Sequence, residues 1–145
     1  SRGLGDVYKR QILNGSFIFA ADLMREIELS AQISFVKLAS YVGTSSTGSV
    51  CEMIGLNVDI SGRDVVVVED IVDSGLTMKY VTEMLAKYNP RSISICTLLL
   101  KPGNLKVDLD IPYKCFSIPN DFILGYGLDY DGYGRNTRDI YTVVE

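Results

Sequence analysis

The stretch Val65-Val66-Val67-Val68-Glu69-Asp70-Ile71-Val72-Asp73-Ser74-Gly75-Leu76-Thr77 limits the possible folds more than any other part of this chain. Four consecutive valines are β-branched and lack the polar alternation of a strand with one wet face. They predict a strand at the centre of a parallel sheet. That strand runs into two adjacent carboxylates and then a turn carrying Asp73, Ser74, Gly75 and Thr77. A helix over 76–88 follows, with Met78, Val81, Leu85 and Tyr88 inward, and Asn89-Pro90 stops it. Strand, turn, helix and a second apolar run at 92–100 make a βαβ unit, which demands a right-handed crossover.

The rest of the chain extends the alternation. Ile12-Leu13 read as a strand end and Asn14-Gly15-Ser16 as a turn. Ser16 then caps a helix over 17–27, with Phe17, Ala20, Ala21, Met24 and Ile27 on its inner face. Residues 33–38 read as a half-buried strand, 43–49 as a Ser/Thr/Gly-rich loop, 113–118 as a third buried strand and 141–144 as an edge strand. Residues 121–139 are rich in Gly, Tyr and Asp and read as a loop with short extended pieces. The fold class is therefore α/β, with a central mainly parallel sheet flanked by helices.

Composition removes several classes of function. The 145 residues include 14 Lys+Arg, 18 Asp+Glu and no His, for a formal net charge of −4. Without His, serine-type triads and His-ligated zinc are excluded. An acidic chain with no cationic cluster is a poor match to nucleic acid. No apolar run is long enough to span a bilayer. Cys51, Cys96 and Cys115 lack CxxC spacing and read as free thiols in a reducing, cytoplasmic setting.

In open α/β sheets, ligands bind beyond the carboxyl ends of the strands. The free N–H groups at the start of the helix after Gly75 suit a phosphate, and the Ser74 and Thr77 hydroxyls can add to them. Glu69 and Asp70 would repel a phosphate but suit sugar hydroxyls, which donate hydrogen bonds. Together they point to a phosphorylated sugar. No GxxxxGK[ST] or GxGxxG loop occurs, so nucleoside triphosphate and dinucleotide loops are absent. Taken alone, Asp73 or Ser74 also reads as a helix cap, Lys101 as an exposed strand-end lysine, Phe122 as ordinary packing and Arg135 as a surface charge.

Residues 65–77 resemble the phosphoribosyl-diphosphate (PRPP) signature of type I phosphoribosyltransferases. Leu13-Asn14-Gly15, Ser40-Tyr41 with the loop after it, Leu98-Leu99-Leu100-Lys101-Pro102 and residues 122–130 are similar to the 6-oxopurine branch of that family, in the same order along the chain. The resemblance implies transfer of a 5-phosphoribosyl group from PRPP to N9 of hypoxanthine or guanine, with Mg²⁺ as cofactor and diphosphate as co-product. It assigns the ribose hydroxyls to Glu69 and Asp70, and the 5′-phosphate to the turn Asp73, Ser74, Gly75, Leu76 and Thr77. Asp73 also becomes the general base. Leu13, Asn14, Gly15 and Arg135 are expected to hold diphosphate, with a cis peptide between Leu13 and Asn14. Lys101 would read the purine O6, Phe122 would stack on the base, and Ile123 and Asp129 would complete its pocket. Glu69, Asp70 and Asp129 are the expected Mg²⁺ ligands. Ser40 and Tyr41 would ride on a lid over 41–52. The family also implies a homodimer or homotetramer and gives no reason to expect nucleic acid or membrane as a partner. A PRPP-binding regulator without catalysis and an acidic-pocket Mg²⁺ signalling domain are the competing readings.

Residues 1–11 are expected to be foreign, because Asp6-Val7-Tyr8-Lys9-Arg10-Gln11 resembles a translated transposon end of the kind used in sequencing libraries. The domain would then be 12–145 without the family's N-terminal strand and helix. Removing the leader leaves 11 cations and 17 anions, net −6.

Overall fold

The structure, a computed structural model, describes residues 12–42, 49–129 and 132–142. The expected leader at 1–11 and the tip of the expected lid at 43–48 lie outside the described residues. The elements are α1 (Ile12–Glu26), β1 (Lys37–Val42), β2 (Ser49–Ile54), β3 (Asp64–Val72), α2 (Leu76–Ala86), β4 (Ser92–Leu100), a 3₁₀ turn (Pro102–Asn104), β5 (Tyr113–Ser117), β6 (Ile123–Leu124) and β7 (Tyr141–Thr142). β3, β4 and β5 form a parallel sheet in that order, while β1–β2 and β6–β7 are antiparallel pairs. The expected α/β class and the βαβ unit β3–α2–β4 are present.

Several local expectations are corrected. The valine strand β3 lies at an edge of the described sheet, and β4 is its centre; Val66 is accordingly half exposed. Helix α1 begins at Ile12, so Ile12-Leu13 is not a strand end and Ser16, buried within the helix, is not its cap. Helical hydrogen bonding runs through trans peptides, and the expected cis bond at Leu13–Asn14 is absent. The inner face of α1 also differs: Phe19 and Ala20 are buried, whereas Phe17 and Ile27 are exposed. Phe17, Ile18 and Phe19 are all apolar, so periodicity could not fix the phase of the stripe. Finally, α2 ends at Ala86, leaving Tyr88 exposed beyond it, and the strand expected over 33–38 starts only at Lys37.

Two apolar clusters sandwich the sheet. Met78, Val81 and Leu85 of α2 pack with Ile60, Val67, Val72, Ile95 and Leu100, while Phe19 of α1 packs with Leu98, Leu99 and Leu128. Strand side chains alternate between faces, so Val67 and Val72, five residues apart, should lie on opposite faces. Both instead join the α2 cluster, and Val68 and Ile71 join the α1 cluster. On β4, Ile95 and Leu100 share the α2 side, with Leu98 and Leu99 both on the other. The pleat therefore slips once on both strands. The slip coincides with a gap in the pairing between Glu69↔Thr97 and Ile71↔Leu99. Side chains serve the backbone there. Glu69 Oε1 accepts the Asp70 N–H at 2.9 Å, and the Thr97 hydroxyl donates to the Leu99 carbonyl at 2.9 Å. The irregularity falls on the paired acids and delivers them to the carboxyl end of the sheet.

Candidate active site

A cleft of about 100 Å³ opens at the end of β3, lined by Glu69, Ile71, Val72, Asp73, Ser74, Gly75, Thr77 and Met78. Gly75 caps α2 with φ +85°, a conformation that suits glycine, and a Cβ there would come within 3.1 Å of Leu105, Val107 and Leu109 side chains. The Ser74 hydroxyl accepts the Leu76 N–H at 3.3 Å from the residue before the cap, but the cap position belongs to Gly75 and has no side-chain cap bond, so the expected capping by Ser74 is corrected. Thr77 and Met78 are the next residues of the first turn, whose N–H groups have no partner within a helix and form the positive end of the dipole. Expected phosphate turn and expected sugar acid thus share one cleft. Glu69 is buried, and burial followed by the neighbouring Asp70 charge pushes its carboxyl well above the usual carboxylate range.

Strand β4 delivers Lys101 to the same end. Contrary to the exposed strand-end reading, Lys101 is only 8% exposed, and its N–H donates to the Val72 carbonyl at 3.0 Å. Its ammonium lies 3.8 Å from Asp73 Oδ2. The other oxygen, Asp73 Oδ1, accepts a hydrogen bond from Asn104 Nδ2 at 2.8 Å. Asp73 does not cap the helix; it bridges the 3₁₀ turn and the lysine. The Lys106 N–H donates to the Ser74 carbonyl at 2.9 Å and closes the segment over the turn. Sequence reasoning passed over residues 104–111. The signal was there in the alternating Leu105, Val107, Leu109 and Ile111, all partly buried, with Leu105, Leu109 and Ile111 packed against the α2 cluster.

The second half of the site forms where α1 meets the loop after β6. Gly15 lies so close to Asp70 that a Cβ would sit 1.7 Å from its Oδ2. On the other side, a Cβ on Gly127 would sit 2.5 Å from the Gly15 carbonyl. Gly127 N–H donates to the Arg135 carbonyl, and Arg135 Nη1 donates to the Gly127 carbonyl, both at 2.8 Å. Arg135 also pairs with Asp129 at 3.1 Å, so it is not a free surface charge. Asp129 Oδ2 accepts the Gly132 N–H at 2.8 Å. The Tyr126 hydroxyl donates to Asp22 of α1, and burial together with that bond pushes its pKa up to about 12. Gly15, Asp70, Gly127, Asp129 and Arg135, five of the expected site residues or their immediate neighbours, are therefore linked. Asp70 turns toward α1, whereas Glu69 lines the cleft.

Phe122 is 73% exposed at the mouth of β6, which is not the ordinary packing that composition allowed, and Ile123 is half-buried within that strand. Ser40 and Tyr41 pair with Cys51 and Val50 in the β1–β2 hairpin. Leu13 and Asn14 lie in the first turn of α1. The expected Mg²⁺ ligands do not form a cage: no group of three or more acidic or cysteine side chains fit to hold a metal gathers among the described residues. Asp129 is committed to Arg135, Asp70 faces Gly15 and Glu69 is buried. This donor set does not fit a resident ion.

The expected phosphate turn, Glu69 and the buried Lys101 thus gather at one end of a parallel α/β sheet. Residues 12–131 match the family model of the phosphoribosyl transferase domain, and the chain belongs to that family. Within it, the similarity is to the hypoxanthine-guanine branch. The hypoxanthine-guanine phosphoribosyltransferase of Mycobacterium tuberculosis is 45% identical over 139 residues, covering 95% of this chain and 69% of that protein. The hypoxanthine phosphoribosyltransferase of Escherichia coli is 46% identical over 120 residues, covering 82% and 67%. Among solved structures, a hypoxanthine-guanine phosphoribosyltransferase from Bacillus anthracis superimposes with a TM-score of 0.80 at 41% identity, covering 91% of this chain and 78% of its own. The chain thus spans about two thirds of the length of these relatives. No helix among the described residues is long and apolar enough to cross a membrane.

Proposed function

We propose that this chain carries the catalytic centre of a purine-salvage transferase that moves 5-phosphoribosyl from PRPP to N9 of hypoxanthine or guanine, giving IMP or GMP and diphosphate. The observation that carries the reading is the buried Lys101 ammonium beside Asp73, at the mouth of the phosphate turn. A buried cation needs acceptors. A 6-oxopurine brings one in O6, whereas adenine presents a donor there and leaves Lys101 unpaired. Asp73 takes the proton that the base sheds as N9 attacks. The 5′-phosphate sits on the Thr77 and Met78 amides with the Ser74 and Thr77 hydroxyls. Glu69 and Asp70 accept from the ribose hydroxyls as positive charge develops on the ring. Asp70 must leave Gly15 to do so. Leu13, Asn14, Gly15 and Arg135 serve the diphosphate, Phe122, Ile123 and Asp129 frame the base, and the β1–β2 hairpin with Ser40 and Tyr41 closes over the reacting centre to exclude water.

Mg²⁺ would belong to the reaction as a companion of the diphosphate substrate, neutralising its charge, and no residue of this chain is assigned as its ligand. The working form is a cytoplasmic homodimer or homotetramer. The test is a spectrophotometric assay with Mg²⁺, PRPP and each of hypoxanthine, guanine, xanthine and adenine. Turnover of the first two and almost none of adenine is expected. Adenine turnover would refute the reading, and PRPP binding without turnover of any base would favour the regulator.

A further inference from the structure

We infer that Asn104 is a positioning residue for Asp73, a role that rests on the transferase reading above. An ionised carboxylate only accepts hydrogen bonds, so the Asn104 amide must present Nδ2 to it, as the 2.8 Å contact to Oδ1 has it. The contact fixes which oxygen does what. Oδ1 is occupied by a donor from the 3₁₀ turn, and Oδ2 is left turned toward the Lys101 ammonium at 3.8 Å. Asp73 is otherwise open, with about half of its side chain exposed (54%), so packing alone does not choose its rotamer.

The segment that carries Asn104 is anchored on both sides. The Asn104 N–H donates to the Lys101 carbonyl at 3.0 Å, closing the 3₁₀ turn, and two residues on the Lys106 N–H is tied to the Ser74 carbonyl at 2.9 Å. The turn that follows Lys101 therefore couples the base-reading cation to the proton-accepting carboxylate. It sets Oδ2 as the oxygen that meets the purine while Oδ1 stays engaged. Without Asn104, Asp73 would sample rotamers in which either oxygen, or neither, faces the base. Proton transfer would suffer, whereas the amides that hold the phosphate would not.

Asn104→Ala is expected to lower kcat with hypoxanthine about tenfold, the loss of one hydrogen bond to a charged group. KM for PRPP should change by less than about twofold, since the phosphate turn keeps its own bonds. The near-isosteric Asn104→Asp keeps the shape and removes the donor, so it should lose at least as much kcat with an unchanged circular-dichroism melting curve. In an Asp73→Asn background, Asn104→Ala should cost less than about twofold, because the two side chains act as a unit. The contact is also read without turnover: Asp73→Ala should shift the Asn104 side-chain amide resonances in ¹⁵N-edited NMR. Wild-type kcat in both Asn104 variants, an equal loss in the Asp73→Asn background, an effect confined to KM for PRPP, or amide resonances indifferent to Asp73→Ala would each overturn the assignment. A parent chain that turns over neither hypoxanthine nor guanine would instead defeat the transferase reading, leaving the NMR result to decide the contact.

Discussion

The junction between α1 and the loop after β6 makes a quantitative prediction about Gly127. This residue has φ +100°, and a Cβ on it would stand 2.5 Å from the Gly15 carbonyl oxygen, a backbone atom that cannot rotate away. Nor can Gly127 retreat, since its N–H and its carbonyl are both bonded to Arg135 at 2.8 Å. Gly62 is a control within the same chain: its φ is +71°, and a Cβ there would meet nothing within 4 Å. Gly62→Ala then carries only the left-handed backbone cost, about 1–2 kcal/mol. Gly127→Ala carries a similar cost plus forced displacement in a packed junction, about 1–3 kcal/mol more. At about 2–4 °C per kcal/mol for a chain of this size, the Gly127 variant should melt roughly 2–12 °C below the Gly62 variant. Urea titration followed by circular dichroism gives the free-energy difference directly, provided that m is unchanged. If Gly127→Ala is no more destabilising than Gly62→Ala, the close approach of the two glycine backbones is wrong, and with it the joining of α1 to the loop after β6.

Three further outcomes test separate parts of the structure. Asp73→Asn should lower kcat by on the order of 100-fold if this carboxylate accepts the purine proton, and an unchanged kcat would remove that role. Glu69 has its carboxyl raised by burial, so its contribution to stability is complete below the ordinary value near 4.5 and is lost as pH rises through the folded value. Glu69→Gln keeps the oxygen that accepts the Asp70 N–H and cannot ionise; its melting temperature should therefore gain on the wild type from pH 5 toward pH 9, and a pH-independent difference would contradict the buried placement. Burial, reinforced by nearby Cys115, pushes the Cys96 thiol up, while Cys115 is exposed. At pH 8, iodoacetamide followed by peptide mass spectrometry should label Cys115 at least about tenfold faster than Cys96, with equal rates refuting the exposure difference.

Much of the frame was legible because its signals were local. The apolar runs at 92–100 and 113–118 and the turn after Val72 each depend on a few neighbouring residues, and the structure has β4, β5 and the cleft there, although β5 is an exposed edge strand and not the buried one expected. What sequence missed depended on partners far along the chain. Whether four valines lie at a sheet centre or an edge is decided by which strands pair with them, and valine is equally content in either place. The phase of α1 was hidden by three successive apolar residues, and it is set by Asp22 meeting Tyr126 and Gly15 meeting Gly127, contacts more than a hundred residues apart.

The paired acids show the same division at finer scale. Their adjacency on a strand implies opposite faces, and chemistry alone assigned both to one ribose. The slip in the pleat at Asp70 complicates that rule, because it returns Val72 to the side of Val67 and leaves Glu69 and Asp70 at the point where alternation fails. Glu69 ends in the cleft and Asp70 against α1. Under the proposed function both reach one sugar only if Asp70 exchanges its contact with Gly15 for the ligand, which would couple ligand binding to the position of α1. The coupling has a direction. A Cβ at Gly15 would overlap Asp70 Oδ2 and drive that carboxylate off the helix, so Gly15→Ala should spend less of the ligand's binding energy on releasing Asp70. Calorimetry with PRPP should show tighter binding in Gly15→Ala if release of Asp70 is the obstacle, and weaker binding if the Gly15 backbone itself must approach the diphosphate. The two functions proposed for this segment thus predict opposite signs for one substitution.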